Sequence, residues 1–169
     1  MNNLRFNSTH FYAIFLFALI TIIYCHPVLK GSKINQSDYK QFLGMSKEIA
    51  DYRDKTGKEA LWTNSMFGGM PAYQISVYHP NNILVHIDKF FQLYLPRPVG
   101  IIFLYFLGFY IFMLSLKIRP DLSILGAIAF GMSSYFFIIL EAGHNTKAHA
   151  IAYIAPSVAS MFYCLNIKN

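Results

Sequence analysis

Charge is what this sequence has least of. Only 13% of its 169 residues are charged and 55% are hydrophobic, whereas a soluble domain carries about 25% charged residues. That shortage, together with long uncharged runs, excludes an ordinary soluble domain and puts the chain in the membrane class. Cysteine is scarce too. Cys25 ends the first apolar run and Cys164 nears the end of the last. In the topology derived below they lie at opposite membrane faces, so a disulfide between them is geometrically excluded. Tyr24 stands before Cys25, where lipoprotein processing needs a small residue.

The signatures of soluble-enzyme chemistry are also missing. Gly57-Lys58 lacks the preceding glycine and the following Ser or Thr of a phosphate loop. There is no nucleophile elbow, paired-cysteine metal site or dinucleotide fingerprint. No ionisable residue falls near the middle of an apolar run, which argues against a transporter. The formal charge is +6, but Lys and Arg are scattered through loops and run ends. Nucleic acid is therefore not an expected partner, and anionic lipid headgroups are the simplest one.

What the chain does have is four apolar runs around one long polar segment. A short polar lead carrying Arg5 precedes residues 11–25, which His26-Pro27-Val28-Leu29 extend to about the length of a span. The bulky Tyr24-Cys25-His26-Pro27 offers no signal-peptide cleavage site, so residues 1–29 are expected to be an uncleaved anchor. Residues 99–116 contain no charge and read as a span. Residues 122–140 read as the next, with Gly126, Ala127, Gly131 and Ser134 suited to close helix contact. A shorter run covers 150–165. The organisation is thus all-α: an anchor (1–29), a large loop (30–98) and a three-helix membrane region (99–169). The Lys117/Arg119 turn is short and basic, so positive-inside counting makes it cytoplasmic. Both chain ends are then cytoplasmic. The loop and the polar patch 141–149 are both external, and should meet.

Within the loop, Ser37 or Asp38 can cap a helix running to about Lys55, with Phe42, Met45, Ile49 and Tyr52 on one face and Thr56-Gly57 as its stop. Residues 62–78 contain Gly68-Gly69 and Pro71 and should be irregular. Trp62, Phe67, Tyr73 and Tyr78 there suit the headgroup level. Residues 82–94 form a second amphipathic candidate, with Ile83, Ile87, Phe91 and Tyr94 on one face, ended by Leu95-Pro96-Arg97-Pro98. Both helices are expected to lie on the membrane surface.

Chemistry is confined to the loop and the patch. Asp38 is either an N-cap carboxylate or a general base. Glu141 is an interfacial charge, a partner of Lys147, or a metal ligand at i, i+3 from His144, although Gly143 argues against the helix such a pair requires. His144, Lys147 and His149 could instead meet a phosphate, with Asn145 and Thr146 as hydrogen-bond donors.

Gln36-Ser37-Asp38, Gly44-Met45-Ser46-Lys47-Glu48-Ile49, the run from Leu61-Trp62 through Phe67-Gly68-Gly69-Met70-Pro71-Ala72 to Gln74, and the run from Ser134 to Glu141-Ala142-Gly143-His144-Asn145 resemble the N-terminal part of the YfhO family of bacterial multi-pass membrane proteins, in the wording of its Bacteroidetes-type members. The resemblance covers about residues 27–156. It implies a C-type glycosyltransferase fold in the cytoplasmic (inner) membrane. The expected donor is a polyprenyl-phosphate-linked sugar and the expected acceptor belongs to the cell envelope. Asp38 matches the family's early acidic position and is implied as general base. Glu141, His144, Asn145, Lys147 and His149 would lie across the site, where carrier phosphate or a divalent cation could be held. Family members are several times longer, and residues from about 161 depart from the pattern. The chain is therefore expected to be an N-terminal portion, inactive alone, whose partners are membrane lipid, the remaining portion or other membrane proteins. The alternative is a non-catalytic membrane scaffold or a lipid-handling or assembly protein.

Overall fold

The computed structural model describes residues 8–79 and 81–167. Residues 1–7 of the polar lead, Arg5 among them, and the last two residues lie outside them. The chain is largely helical. Four apolar helices or helix pairs carry a half-polar cap at one end: α1 (Ser8–Tyr24), α6 (Val99–Ser115), α7 (Pro120–Gly131) with α8 (Ser134–Ala142), and α9 (Asn145–Ile167). The cap contains α2 (His26–Leu29), α3 (Ser37–Met45), α4 (Lys47–Thr56), the strands β1 (Trp62–Thr63) and β2 (Met70–Pro71), a 3₁₀ turn (Ala72–Gln74) and α5 (Leu84–Phe91). The stretches Pro120–Ala142 and Asn145–Leu165 are long and apolar enough to cross a membrane. Ser8–Tyr24 and Val99–Ser115 are shorter apolar helices.

The bundle is built round α6. This helix is apolar on every side, and its first half is enclosed by its neighbours. Val99 through Phe106 are all buried. α1 runs antiparallel to it, with Phe17 stacked on Phe106 and His10 Nδ1 2.8 Å from the Tyr110 hydroxyl. α7 and α9 cover the other sides, and small residues set how near they come. A Cβ on Gly131 would stand 2.4 Å from the Phe106 ring, and one on Gly126 2.9 Å from Met113 Cε. Ala127 is fully buried. Ser134, expected among these contact residues, instead opens α8 and is exposed. At the α6–α9 crossing, Pro156 lacks the N–H that would bond the Ala152 carbonyl. A Cβ on Gly108 would lie 2.9 Å from Pro156 Cδ and 3.0 Å from that carbonyl oxygen. Buried polar groups are satisfied locally: Tyr105 Oη donates to the Ala148 carbonyl (2.8 Å) and Thr21 Oγ1 to that of Phe17 (2.7 Å).

Several boundaries differ from the sequence expectation. The first apolar run does not continue unbroken to residue 29, because Cys25 ends α1 and α2 is a separate turn with Pro27 in its first positions. The run 122–140 is interrupted at Met132–Ser133, flanked by Gly131 and Ser134, the residue types at which helices break. The last helix begins at Asn145, so residues 145–149 of the polar patch are its first turn and a half rather than loop. The helix expected over 38–55 is divided at Ser46. Its stop is where the sequence puts it, with Gly57 left-handed at φ 68°.

Most of residues 62–78 is irregular, but the stretch also holds a short antiparallel hairpin that pairs Trp62 with Pro71 and Thr63 with Met70. Glu48 organises this hairpin. Its Oε2 accepts Thr63 Oγ1 (2.5 Å), Ser65 N (2.9 Å) and Asn64 N (3.0 Å). The Thr63 hydrogen bond most of all, helped by the two backbone N–H groups, holds the Glu48 carboxyl below the usual glutamate range.

Two predictions follow from these contacts. Gly108→Val forces a side chain into the Pro156 ring and should destabilise by about 1–3 kcal/mol. Gly44→Ala, at a helical glycine with open space around it, should be neutral or stabilising by up to about 1 kcal/mol. Thermal unfolding in detergent separates the two. For Glu48, a lowered folded pKa means that its stabilisation is complete above the unfolded value near 4.5 and is lost as pH falls through the folded one. Trp62 is the sole tryptophan and reports the hairpin. Its emission should change on acidification below about pH 4.5 in the wild type, and Glu48→Gln should remove that transition.

Candidate functional site

The cap meets the bundle where α8 turns into α9. Gly143 makes the junction possible. It ends α8 in a left-handed conformation (φ 103°), with the His144 N–H bonded back to the Ile139 carbonyl. A Cβ there would lie 3.1 Å from both Asp38 Cβ and Tyr39 N and 3.2 Å from Gln36 Cβ. Glycine therefore serves both the turn and the approach of α3.

Three consecutive residues of the Gln36-Ser37-Asp38 sequence use that closeness. Gln36 Nε2 donates to the Leu140 carbonyl (2.5 Å) and to Asn145 Oδ1 (3.1 Å), and its Oε1 accepts Asn145 Nδ2 (3.1 Å). Ser37 Oγ donates to the Ala142 carbonyl at 3.3 Å. Asp38 Oδ2 lies 3.1 Å from His144 Nδ1, with both side chains about half exposed. Gln36, not Ser37 or Asp38, occupies the cap position of α3, and no side chain caps it. Asp38 sits in the first turn, where a carboxylate still complements the helix dipole.

Among the described residues, Asp38 Oδ1 has only the long Ser37 Oγ contact at 3.4 Å. The arrangement is an accessible carboxylate beside an imidazole at a polar seam between cap and bundle. It can receive a proton from a hydroxyl brought alongside.

The rest of the patch is dispersed. Glu141 is exposed, with no ion pair to Lys147 among the described residues. The Lys147 ammonium lies 5.3 Å from the centroid of the Tyr135 ring, a cation–π distance. Glu141 and His144 are not on one helix, because α8 ends at Ala142. No group of three His, Cys, Asp or Glu able to hold a metal forms among the described residues. Asn145 is engaged with Gln36, as above.

His149 belongs to a second cluster that sequence reasoning missed. Asp88 of α5 accepts Tyr153 Oη (2.6 Å) and lies 2.7 Å from His149 Nε2 through one oxygen, and accepts Gln92 Nε2 (2.8 Å) through the other. Burial is the largest single influence and raises the Asp88 pKa, but the hydrogen bonds from Tyr153, His149 and Gln92 together outweigh it. The carboxyl is held below the usual aspartate range. Two i, i+4 pairs, Asp88 with Gln92 and His149 with Tyr153, were the available signal. Each puts complementary polar groups on one helical face.

The chain matches no protein-family model, no curated protein and no solved structure.

Asp88→Ala removes the acceptor for three donors and should destabilise by about 1.5–3 kcal/mol. Hydrogen exchange over residues 84–91 should quicken by about ten- to a hundredfold as α5 detaches. Adding Tyr153→Phe should cost less in that background than in the wild type, the signature of a shared network.

Proposed function

We propose that this chain forms the first helices and external loop of a membrane glycosyltransferase of the C-type fold. It crosses the inner membrane four times and has its long loop outside. The enzyme moves a sugar from a polyprenyl-phosphate carrier to a cell-envelope hydroxyl. The observation that carries the reading is the Asp38–His144 pair, 3.1 Å apart at the seam between loop and bundle. Two sequence-distant segments that the motif resemblance singles out supply its two halves. Further support comes from the loop's exposed aromatic and aliphatic side chains. Trp62, Phe67, Tyr73 and Tyr78 are largely exposed, as are Ile83, Ile87 and Tyr94 of the α5 segment, and such groups suit a headgroup layer.

In this reading the acceptor hydroxyl gives its proton to the Asp38 carboxylate as its oxygen bonds the anomeric carbon. The bond from that carbon to the carrier phosphate oxygen breaks, and the carrier phosphate leaves with the electron pair. His144 stands beside the carboxylate as its ion-pair partner when protonated. Glu141 and Lys147 lie at the rim, where carrier or acceptor passes. A non-catalytic scaffold is the second reading. It is favoured by the internal hydrogen bonding of Gln36, Asn145 and His149, which suits a structural seam.

The test is Asp38→Asn in the native gene, read by mass spectrometry of envelope glycans at matched protein level. Loss of transfer by about a hundredfold or more is expected of a general base. His144→Ala should cost less. Wild-type glycosylation in Asp38→Asn would overturn the catalytic reading in favour of the scaffold.

A further inference from the structure

Beside the Asp38–His144 seam lies an open groove of about 860 Å³, within the size range of small-ligand sites. One wall is the α2–α3 linker and the near face of α3, and the other is Arg97-Pro98 at the start of α6. Three cations line it: Lys33, Lys40 and Arg97. No carboxylate does, and none of the three cations forms an ion pair among the described residues. Like charges brought together from two distant segments repel, and no lining carboxylate among the described residues offsets that. The N-termini of α6 and α9 begin at the groove, next to Pro98 and at Asn145, and add their positive dipole ends.

The lining between the cations is apolar. Val28 packs against the bundle core, and Ile34, Tyr39 and Leu43 expose substantial apolar surface. A wholly hydrophilic anion would leave that surface wet, whereas an amphiphile would cover it with the first carbons of its chain.

We infer that this groove binds the phosphate head of a membrane amphiphile, with Lys33, Lys40 and Arg97 neutralising the phosphate and the apolar lining taking the start of the chain. Arginine gives the bidentate contact and the lysines act as point charges. Gln36 and Asn145 line the groove and also form the seam, so the bound head lies next to Asp38. The cations that hold it come from the linker, α3 and the residue before Pro98, not from the 141–149 patch. The inference rests on the proposed function for its membrane setting alone.

The test uses the full chain in a neutral maltoside detergent, with monodecyl phosphate as probe and ³¹P line broadening as readout. Decanol and inorganic phosphate serve as competitors. Saturable binding is expected, with each of Lys33→Gln, Lys40→Gln and Arg97→Gln weakening it about fivefold and the triple change about a hundredfold. The charge-preserving set Lys33→Arg, Lys40→Arg, Arg97→Lys should retain most of it. Lys47→Gln, Lys55→Gln, Lys58→Gln, an equal charge change outside the groove, should alter it less than about twofold. The inference fails if both triple neutralisations weaken binding equally, since only general surface charge would then be at work. It also fails if inorganic phosphate competes as well as the amphiphile, since a soluble anion would then suffice. Asp38→Asn should bind the probe normally. Binding retained without transfer, or transfer retained without binding, therefore tells this inference apart from the catalytic one.

Discussion

The enclosure of α6 is the constraint on which the rest depends. A helix with no polar face cannot lie at a surface in water, and here Val99 to Phe106 have no exposed side at all. α1, α7 and α9 are arranged to satisfy that helix. The approach of α7 and α9 is set by Gly131, Gly126 and Gly108, whereas α1 meets α6 through the Phe17 ring against Phe106 and Tyr110. Packing through glycine gives backbone-to-side-chain contact over a wide area, and it leaves little room for adjustment. The orientation of each neighbour then fixes what its end presents to the cap.

The cap has little apolar core of its own. Ile49 and Ala72 are its fully buried hydrophobic residues, and much of its apolar surface is exposed. Polar seams hold it instead. Glu48 gathers the hairpin, the Gln36–Asn145 amide pair ties α3 to α9, and Asp88 ties α5 to the same helix. Gln36, Asn145 and Asp88 are partly buried and costly to leave unpaired once the helices have closed on them, whereas Glu48 is exposed. The Asp38–His144 pair differs in being half exposed. It lies on a seam without being consumed by it.

The sequence made the helical class legible because uncharged runs and charged turns alternate plainly. It also made legible that residues near 38 and near 144 come together, because counting spans and placing Lys117 and Arg119 on one side leaves only one arrangement for the two polar segments. It could not show how far the polar start of α9 is helical. Hydropathy tracks side-chain polarity, and a polar first turn looks like loop to it. The hairpin was hidden because two-residue strands have no periodicity to read, and its organising Glu48 lies on another element. Asp88 was hidden for a similar reason: on an amphipathic segment a lone carboxylate reads as part of the wet face until its partner helix is known. Lys33, Lys40 and Arg97 read as scattered charge because only the fold brings them to one groove.

The α6–α9 crossing has a consequence at a distance. One bank of the cationic groove, α3, is fastened to the start of α9, and the other runs directly into α6. The groove is thus a gap between two beams rather than a hollow carved in one. Its width follows from how α6 and α9 lie together, which is set by two contacts along their length: Gly108 against Pro156, and Tyr105 Oη on the Ala148 carbonyl nearer the groove. The Gly108 contact lies nine residues down α6 from Val99, about 14 Å. The spacing of Arg97 from Lys33 and Lys40 thus depends on residues that form no part of the charge arrangement itself.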